Sequence, residues 1–150
     1  MARSIALCVL MLVLLCAAAS AQQRPLGLGV IVGEPTGVTG KWWTGGRTAI
    51  DAALAWSFAD ENAMHLHADY LVHNFDMFEL GDAVMPFYFG VGGRLKLEDD
   101  SRFGMRIPVG IAYVIAGTPL DLFLELVPVL DLAPETELRL NGAFGMRYFF

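Results

Sequence analysis

The chain has 150 residues, a single-domain length, and it is 55% hydrophobic with a mean hydropathy of +0.51 and a formal net charge of −6. That acidic balance excludes a nucleic-acid binder and a polybasic membrane-surface device. Both cysteines, Cys8 and Cys16, lie in the first 21 residues, so the rest of the chain uses no disulfide, thiol nucleophile or thiolate metal site.

Residues 1–21 read as a secretory signal peptide and residues 22–150 as one exported domain. Arg3 supplies the positive start, Ile5 to Ala18 the apolar stretch, and Ala19-Ser20-Ala21 a small-x-small cleavage site that leaves Gln22 as the first mature residue. The apolar stretch is short of the ~20 residues of a spanning helix. Leu15 is not the small residue that a lipidated Cys16 would need before it. No later segment is an unbroken apolar run of spanning length, so a mature chain in a membrane must cross it as a closed barrel.

After the polar lead, the chain alternates at a period of two, the signature of β-strands. Leu26, Leu28, Val30 and Val32 oppose Gly27, Gly29, Ile31 and Gly33, and Glu34-Pro35-Thr36-Gly37 has the composition of a turn. Val38 to Thr44 sets Val38, Gly40 and Trp42 against Thr39, Lys41 and Trp43. Thr48 to Phe58 sets Ile50, Leu54, Trp56 and Phe58 against Asp51, Ala53 and Ser57, and a turn around Asp60 follows. Ala63 to Asn74 sets Met64, Leu66, Tyr70 and Val72 against His65, His67, Asp69 and His73. Phe75 to Met85 is the longest and least regular connection, and its residues Phe75, Met77, Phe78 and Leu80 could extend the flanking strands in place of a free loop. Pro86 to Leu97, Arg102 to Ile115, Leu120 to Leu132 and Leu138 to Phe150 complete eight strands, separated by turns at Glu98-Asp99-Asp100-Ser101, Gly117-Thr118-Pro119 and Ala133-Pro134-Glu135-Thr136.

The character of the two faces decides what kind of barrel this is. One face is bulky and uncharged, built of Leu, Ile, Val, Phe, Met, Trp and Tyr; the other is rich in Gly and Ala and carries nearly all the mid-strand charge. A lipocalin-like soluble barrel, the alternative, needs bulk inside and charge outside. The predicted fold is therefore all-β: an eight-stranded antiparallel up-and-down transmembrane β-barrel. Trp56, Phe58, Tyr70, Tyr113, Tyr148 and Phe150 are placed near strand ends, where interfacial girdles sit.

The last strand resembles the terminal signal that the outer-membrane assembly machinery reads, with Gly145, Tyr148 and the terminal aromatic Phe150; Ala143 departs from it, a polar residue being usual there. Four further segments, Gly33-Glu34-Pro35-Thr36-Gly37, Leu66-His67-Ala68-Asp69-Tyr70, Gly90-Val91-Gly92-Gly93-Arg94-Leu95 and Pro128-Val129-Leu130-Asp131-Leu132, resemble a family of small OmpA-like eight-stranded outer-membrane barrels. Members are known from spirochaetes, and some are discussed as factor H-binding-like surface proteins. The resemblance spans the mature chain and implies fold and an outer-membrane location. It carries over no catalytic residue and no cofactor, and it implies outer-membrane lipid and the assembly machinery as partners, with a host or surface ligand as a further one.

The inward face collects Asp51, Asp69, Asp121, Glu125 and Asp131 against Lys41, Arg94, Lys96, Arg106, Arg139 and Arg147. An eight-stranded barrel is just wide enough for its own side chains, and buried charges must pair. These residues are therefore predicted to form an ion-pair network that fills the lumen; a narrow gated pore is the alternative. His65 and His67 alternate on one strand, a spacing that can place two imidazoles on one metal ion, with Asp51 as a conceivable third ligand. Their plainer reading is as part of the polar lumen. A lipid-modifying enzyme would want a Ser-His-acid set on the outer rim, whereas here the histidines fall inward and Ser57 is the only mid-strand serine, so no catalysis is expected. With both termini in the periplasm, the outside turns are those near Glu34, Asp60, Asp99 and Glu135, all short.

Overall fold

The computed structural model describes residues 24–57 and 63–150. The expected signal peptide, residues 1–21, lies outside the described residues, as do Phe58 and Asp60, assigned above to a strand end and a turn. The alternating runs form β1 (Leu26–Gly33), β2 (Thr36–Trp43), β3 (Thr48–Trp56), β4 (Met64–Asn74), β5 (Glu79–Leu80), β6 (Ala83–Val84), β7 (Phe87–Leu97), β8 (Arg102–Arg106), β9 (Val109–Val114), β10 (Leu120–Ala133) and β11 (Glu137–Phe149).

These segments close into a ring of eight antiparallel strands. β1 pairs with β11, from Gly27 opposite Phe149 to Gly33 opposite Ala143. Around the ring the order is β1, β2, β3, β4, β7, then β8 and β9 together, β10 and β11. β8 and β9 are one strand interrupted at Ile107 and Pro108, because a proline has no N–H to give to the ladder. Register continues through the gap: Gly92 faces Arg106 and Phe89 faces Val109 on the β7 side, while Val129 faces Arg106 and Leu126 faces Val109 on the β10 side. The backbone there stays bonded. Ile107 N–H donates to the Pro128 carbonyl at 3.0 Å, and the Pro108 carbonyl accepts from Gly90 N–H at 2.9 Å. Closure leaves the ring no open edge for another chain to pair with.

Three local assignments are corrected. Thr36 and Gly37 belong to β2, where they face Trp56 and Ala55, so the first turn shrinks to Glu34 and Pro35. Gly33 makes this possible with a φ of +138°, reserved to glycine, and the Thr36 hydroxyl bonds both the N–H and the carbonyl of Gly33 at 3.0 and 2.9 Å. Thr44 falls past the end of β2. The long connection does not prolong β4 or β7. It folds back as the β5–β6 hairpin around Gly81 and attaches to the ring through Val84 opposite Val114.

The ring has two ends. Arg24 and Pro25, the β2–β3 turn, the connection from Phe75 to Pro86, the β9–β10 turn and Phe150 share one, called here the terminal end; Trp43 N–H donates to the Pro25 carbonyl at 2.8 Å, His73 N–H to Arg47 at 2.7 Å and Phe149 N–H to Pro119 at 2.7 Å. Glu34, Ser57, Glu98 and Pro134 mark the other. Along the long ring strands, exposure alternates. On β10, Leu122, Leu124, Leu126, Leu130 and Leu132 stand outward, while Asp121, Phe123, Glu125, Val127, Val129 and Asp131 are buried. Ile31, Leu71, Tyr88, Ala112, Phe123 and Ala143 form an apolar cluster in the interior.

Candidate functional site: the charged lumen

Because side chains of one face recur every second residue, the ring strands that carry mid-strand charge send it inward. Lys41, Asp51, Asp69, Arg94, Lys96, Arg106, Asp121, Glu125, Asp131 and Arg147 are all buried. Arg139 sits at the rim opposite the terminal end, partly exposed.

The groups form three tiers. Near the end opposite the termini, Arg94 grips Asp131 through Nε and Nη2, with contacts of 3.1 and 2.9 Å to Oδ1 and 2.8 Å to Oδ2. Arg139 and Arg102 approach the same carboxylate at 3.8 and 4.0 Å. Their outer contacts are Glu137, at 3.1 Å from Arg139 and 3.0 Å from Arg102, and Glu98, at 2.8 Å from Arg102 and 3.1 Å from Lys96. In the middle, Arg106 joins Asp69 at 2.9 Å to Glu125 at 3.4 Å, and the Tyr88 hydroxyl donates to Glu125 at 2.9 Å. Toward the terminal end, Arg147 pairs with Asp51, reaches the Thr39 hydroxyl at 3.3 Å and lies 3.8 Å over the Phe123 ring. Thr39 in turn donates to Asp51 at 3.1 Å. Asp121 is the cross-strand neighbour of Arg147, and Lys41 Nζ lies 2.8 Å from His73 Nε2.

A repeated device lets these side chains meet. Partners on strands two apart must cross the strand between them, and at four of these crossings that strand presents a glycine. Gly92 lies in register between Asp69 and Arg106, Gly104 between Arg94 and Asp131, Gly110 between Tyr88 and Glu125, and Gly29 between Arg147 and Thr39. A Cβ at Gly92 would stand on the Asp69 carboxylate, one at Gly104 would come within 2.7 Å of Asp131 Oδ1, and one at Gly110 would enter the Tyr88 ring. The small inward residues are thus the saddles over which the network is strung. A close approach of this kind is what a strand-interior glycine marks.

His65 and His67 are buried on the lumen face, in register with Lys96 and Arg94, cations that oppose a bound metal ion. Among the described residues no three His, Cys, Asp or Glu side chains converge to hold one. Asp51, considered above as a third ligand, is engaged by Arg147 and Thr39 instead. Of the assembly-signal residues, Tyr148 is exposed with Phe150 edge-on at 5.1 Å, and Phe150 N–H donates to the Leu26 carbonyl at 2.8 Å. Gly145 points inward, where a Cβ would run into the Phe123 ring.

Sequence reasoning overlooked Tyr88, Thr39, Arg102, Glu98 and Glu137 as members of the network. Thr39 stood in an inward row and Tyr88 lies at even spacing from the inward Arg94 and Lys96, and their polar tips were the available signal. The other three sit at strand ends, where a turn and a rim look alike in sequence. No family model, no curated protein and no solved structure matches this chain.

Proposed function

We propose that this chain is an outer-membrane β-barrel whose lumen is filled by its own ion pairs, with a structural or surface-binding role and no catalysis. The observation that supports this reading is the reversal of the two faces. Arg94, Arg106, Arg147, Lys41 and Lys96 are buried, whereas large apolar side chains on every long strand stand exposed around the ring, from Leu28 on β1 to Met146 on β11. In water such a surface is unfavourable, since soluble monomers rarely expose contiguous apolar patches beyond a few hundred Å². In lipid it is the expected outer band, and a closed ring meets the requirement that every backbone group bond internally.

With the termini in the periplasm, the short turns near Glu34, Glu98 and Pro134 face outward and the β5–β6 hairpin faces inward to the cell. Outer-membrane lipid and the assembly machinery are then the partners of the outer face and of the terminal strand carrying Gly145, Tyr148 and Phe150. The resemblance to small OmpA-like barrels agrees with this reading. The three tiers of buried contacts favour a plug over a pore, because conduction would require separating charges held at 2.8 to 3.4 Å.

Gel mobility tests the proposal. The folded protein in detergent is expected to migrate differently before and after boiling and to need detergent for solubility. Equal mobility, together with solubility in plain buffer, would contradict it.

A further inference from the structure

The lumen network does not use the concave feature at the terminal end of the ring, a pocket of about 420 Å³ lined by Pro25 together with Arg24, Trp43, Thr44, Gly45, Gly46 and Phe75. Its aromatic wall and its turn are held in place. Trp43 is the last residue of β2 and its N–H is bonded to Pro25; its ring lies 4.4 Å from that of His73 and 6.1 Å from that of Phe75, inclined to the latter by 33°. Lys41 Nζ backs the same indole at 4.5 Å. Thr44 and Gly45 N–H both donate to the Thr48 carbonyl, at 3.0 and 3.3 Å, which sets the turn.

The two glycines differ from those of the lumen. Neither has a positive φ, so the backbone there admits other residues. A Cβ at Gly46 would meet nothing within 4 Å, and one at Gly45 would meet only the Thr48 hydroxyl, at 3.0 Å. Gly92, Gly104 and Gly110 are bare because a side chain would collide with the network. Gly45 and Gly46 are bare where the fold has room for a side chain, and the room they leave opens into the pocket. Both lie in the β2–β3 turn, where a Gly-Gly pair is common, and they leave the pocket open on that side. None of the lining residues is acidic, although the chain as a whole carries −6, so the pocket is a local exception in charge.

We propose that this pocket binds an acidic saccharide, a pyranose ring bearing a carboxylate. The inclined Trp43 and Phe75 rings offer an apolar wall for the C–H face of a sugar. The Arg24 guanidinium can take a carboxylate in a paired, charge-assisted hydrogen bond. The Gly46 backbone and the Thr44 hydroxyl, which also bonds the Thr48 hydroxyl at 3.0 Å, supply partners for ring hydroxyls. A flat aromatic anion would satisfy the rings and Arg24 but leave that bare backbone unused. The pocket belongs to the end of the ring, so its binding does not depend on what surrounds the outer face.

Calorimetric titration of the folded protein in detergent micelles with D-glucuronic acid, D-glucose, N-acetylmuramic acid and benzoate tests this. One or both acidic sugars should bind saturably, glucose about tenfold or more weakly, consistent with loss of a charge-assisted contact. The preferred acid assigns the source, uronic-acid polymers or wall glycan stripped of its peptides. Arg24→Gln should erase the preference for acid over neutral sugar, and Gly46→Leu should weaken binding by about tenfold or more with heat-dependent gel mobility unchanged. Four results would overturn the proposal: no saturable binding to the folded protein, glucose equal to the acids, benzoate tighter than both, or full affinity in Gly46→Leu. A protein that binds the sugar yet dissolves without detergent would sink the membrane reading and leave this one standing.

Discussion

Replacing Asp131 by alanine is expected to lower the unfolding free energy by about 3–5 kcal/mol, the usual cost of removing one partner from a buried ion pair. Asp131 is fully buried and answers Arg94 through both carboxylate oxygens, with Arg139 and Arg102 at 3.8 and 4.0 Å. Its loss leaves a guanidinium on β7 inside the ring with no acid in reach across Gly104, and the other two cations add repulsion. The measurement is the urea midpoint of the barrel refolded into vesicles. Pairing Arg94→Met with Asp131→Leu should recover most of the loss, because an apolar pair of similar volume needs no desolvation of charge. If the double variant is no better than Asp131→Ala, the cost lies in packing and not in the stranded charge.

The second large effect is on the other face. Leu126 stands at the middle of β10, 57% exposed, opposite Gly142 and Val109. In a water-soluble protein an exposed leucine changed to arginine shifts stability by no more than about 0.5 kcal/mol. If this face meets lipid, Leu126→Arg places a guanidinium near the midplane and costs about 2–4 kcal/mol. The same change at Leu138, at the start of β11 and on the rim, should cost about 1 kcal/mol or less. A depth-dependent penalty on a face that is exposed throughout has no counterpart in water, and equal, negligible costs at both sites would refute the lipid-facing assignment.

Much of the fold was legible because one period governs it. The outward and inward rows read from alternation match the exposed and buried rows of β3 and β4, and the strand count of eight holds for the ring once β8 and β9 are taken as one strand around Pro108 and the β5–β6 hairpin is set apart. Strand ends were less legible. Thr36 and Gly37 look like turn residues, yet a single glycine conformation at Gly33 tightens the turn and returns them to the ladder. Phe75 to Met85 is apolar enough to suggest strand, but only pairing can show that it folds on itself and touches the ring at Val84.

The lumen set was legible as a set and not as pairs. Its members follow from facing inward; which acid meets which base depends on register between strands that are distant in sequence, such as β4 with β8 or β7 with β10. Glycine positions held part of that information, since Gly92 and Gly104 fall where side chains on either side must cross, but a saddle is recognisable only when the register is known. The pocket near Trp43 was invisible for the same reason: Arg24, Gly46 and Phe75 line one pocket only because the lead into β1, the β2–β3 turn and the connection after β4 share one end of the ring.

The central claim is that the outer face lies in lipid, and depth-resolved accessibility along one strand tests it most directly. Both cysteines fall within the first 21 residues, so the chain from residue 22 accepts single cysteines without background. Spin labels at Leu122, Leu126 and Leu130 of β10, in the barrel reconstituted into vesicles, should be relaxed strongly by oxygen and weakly by a water-soluble nickel chelate, with the oxygen preference greatest at Leu126 and lower at the two flanking sites. Equal and ready access of the nickel chelate to all three positions would contradict the account.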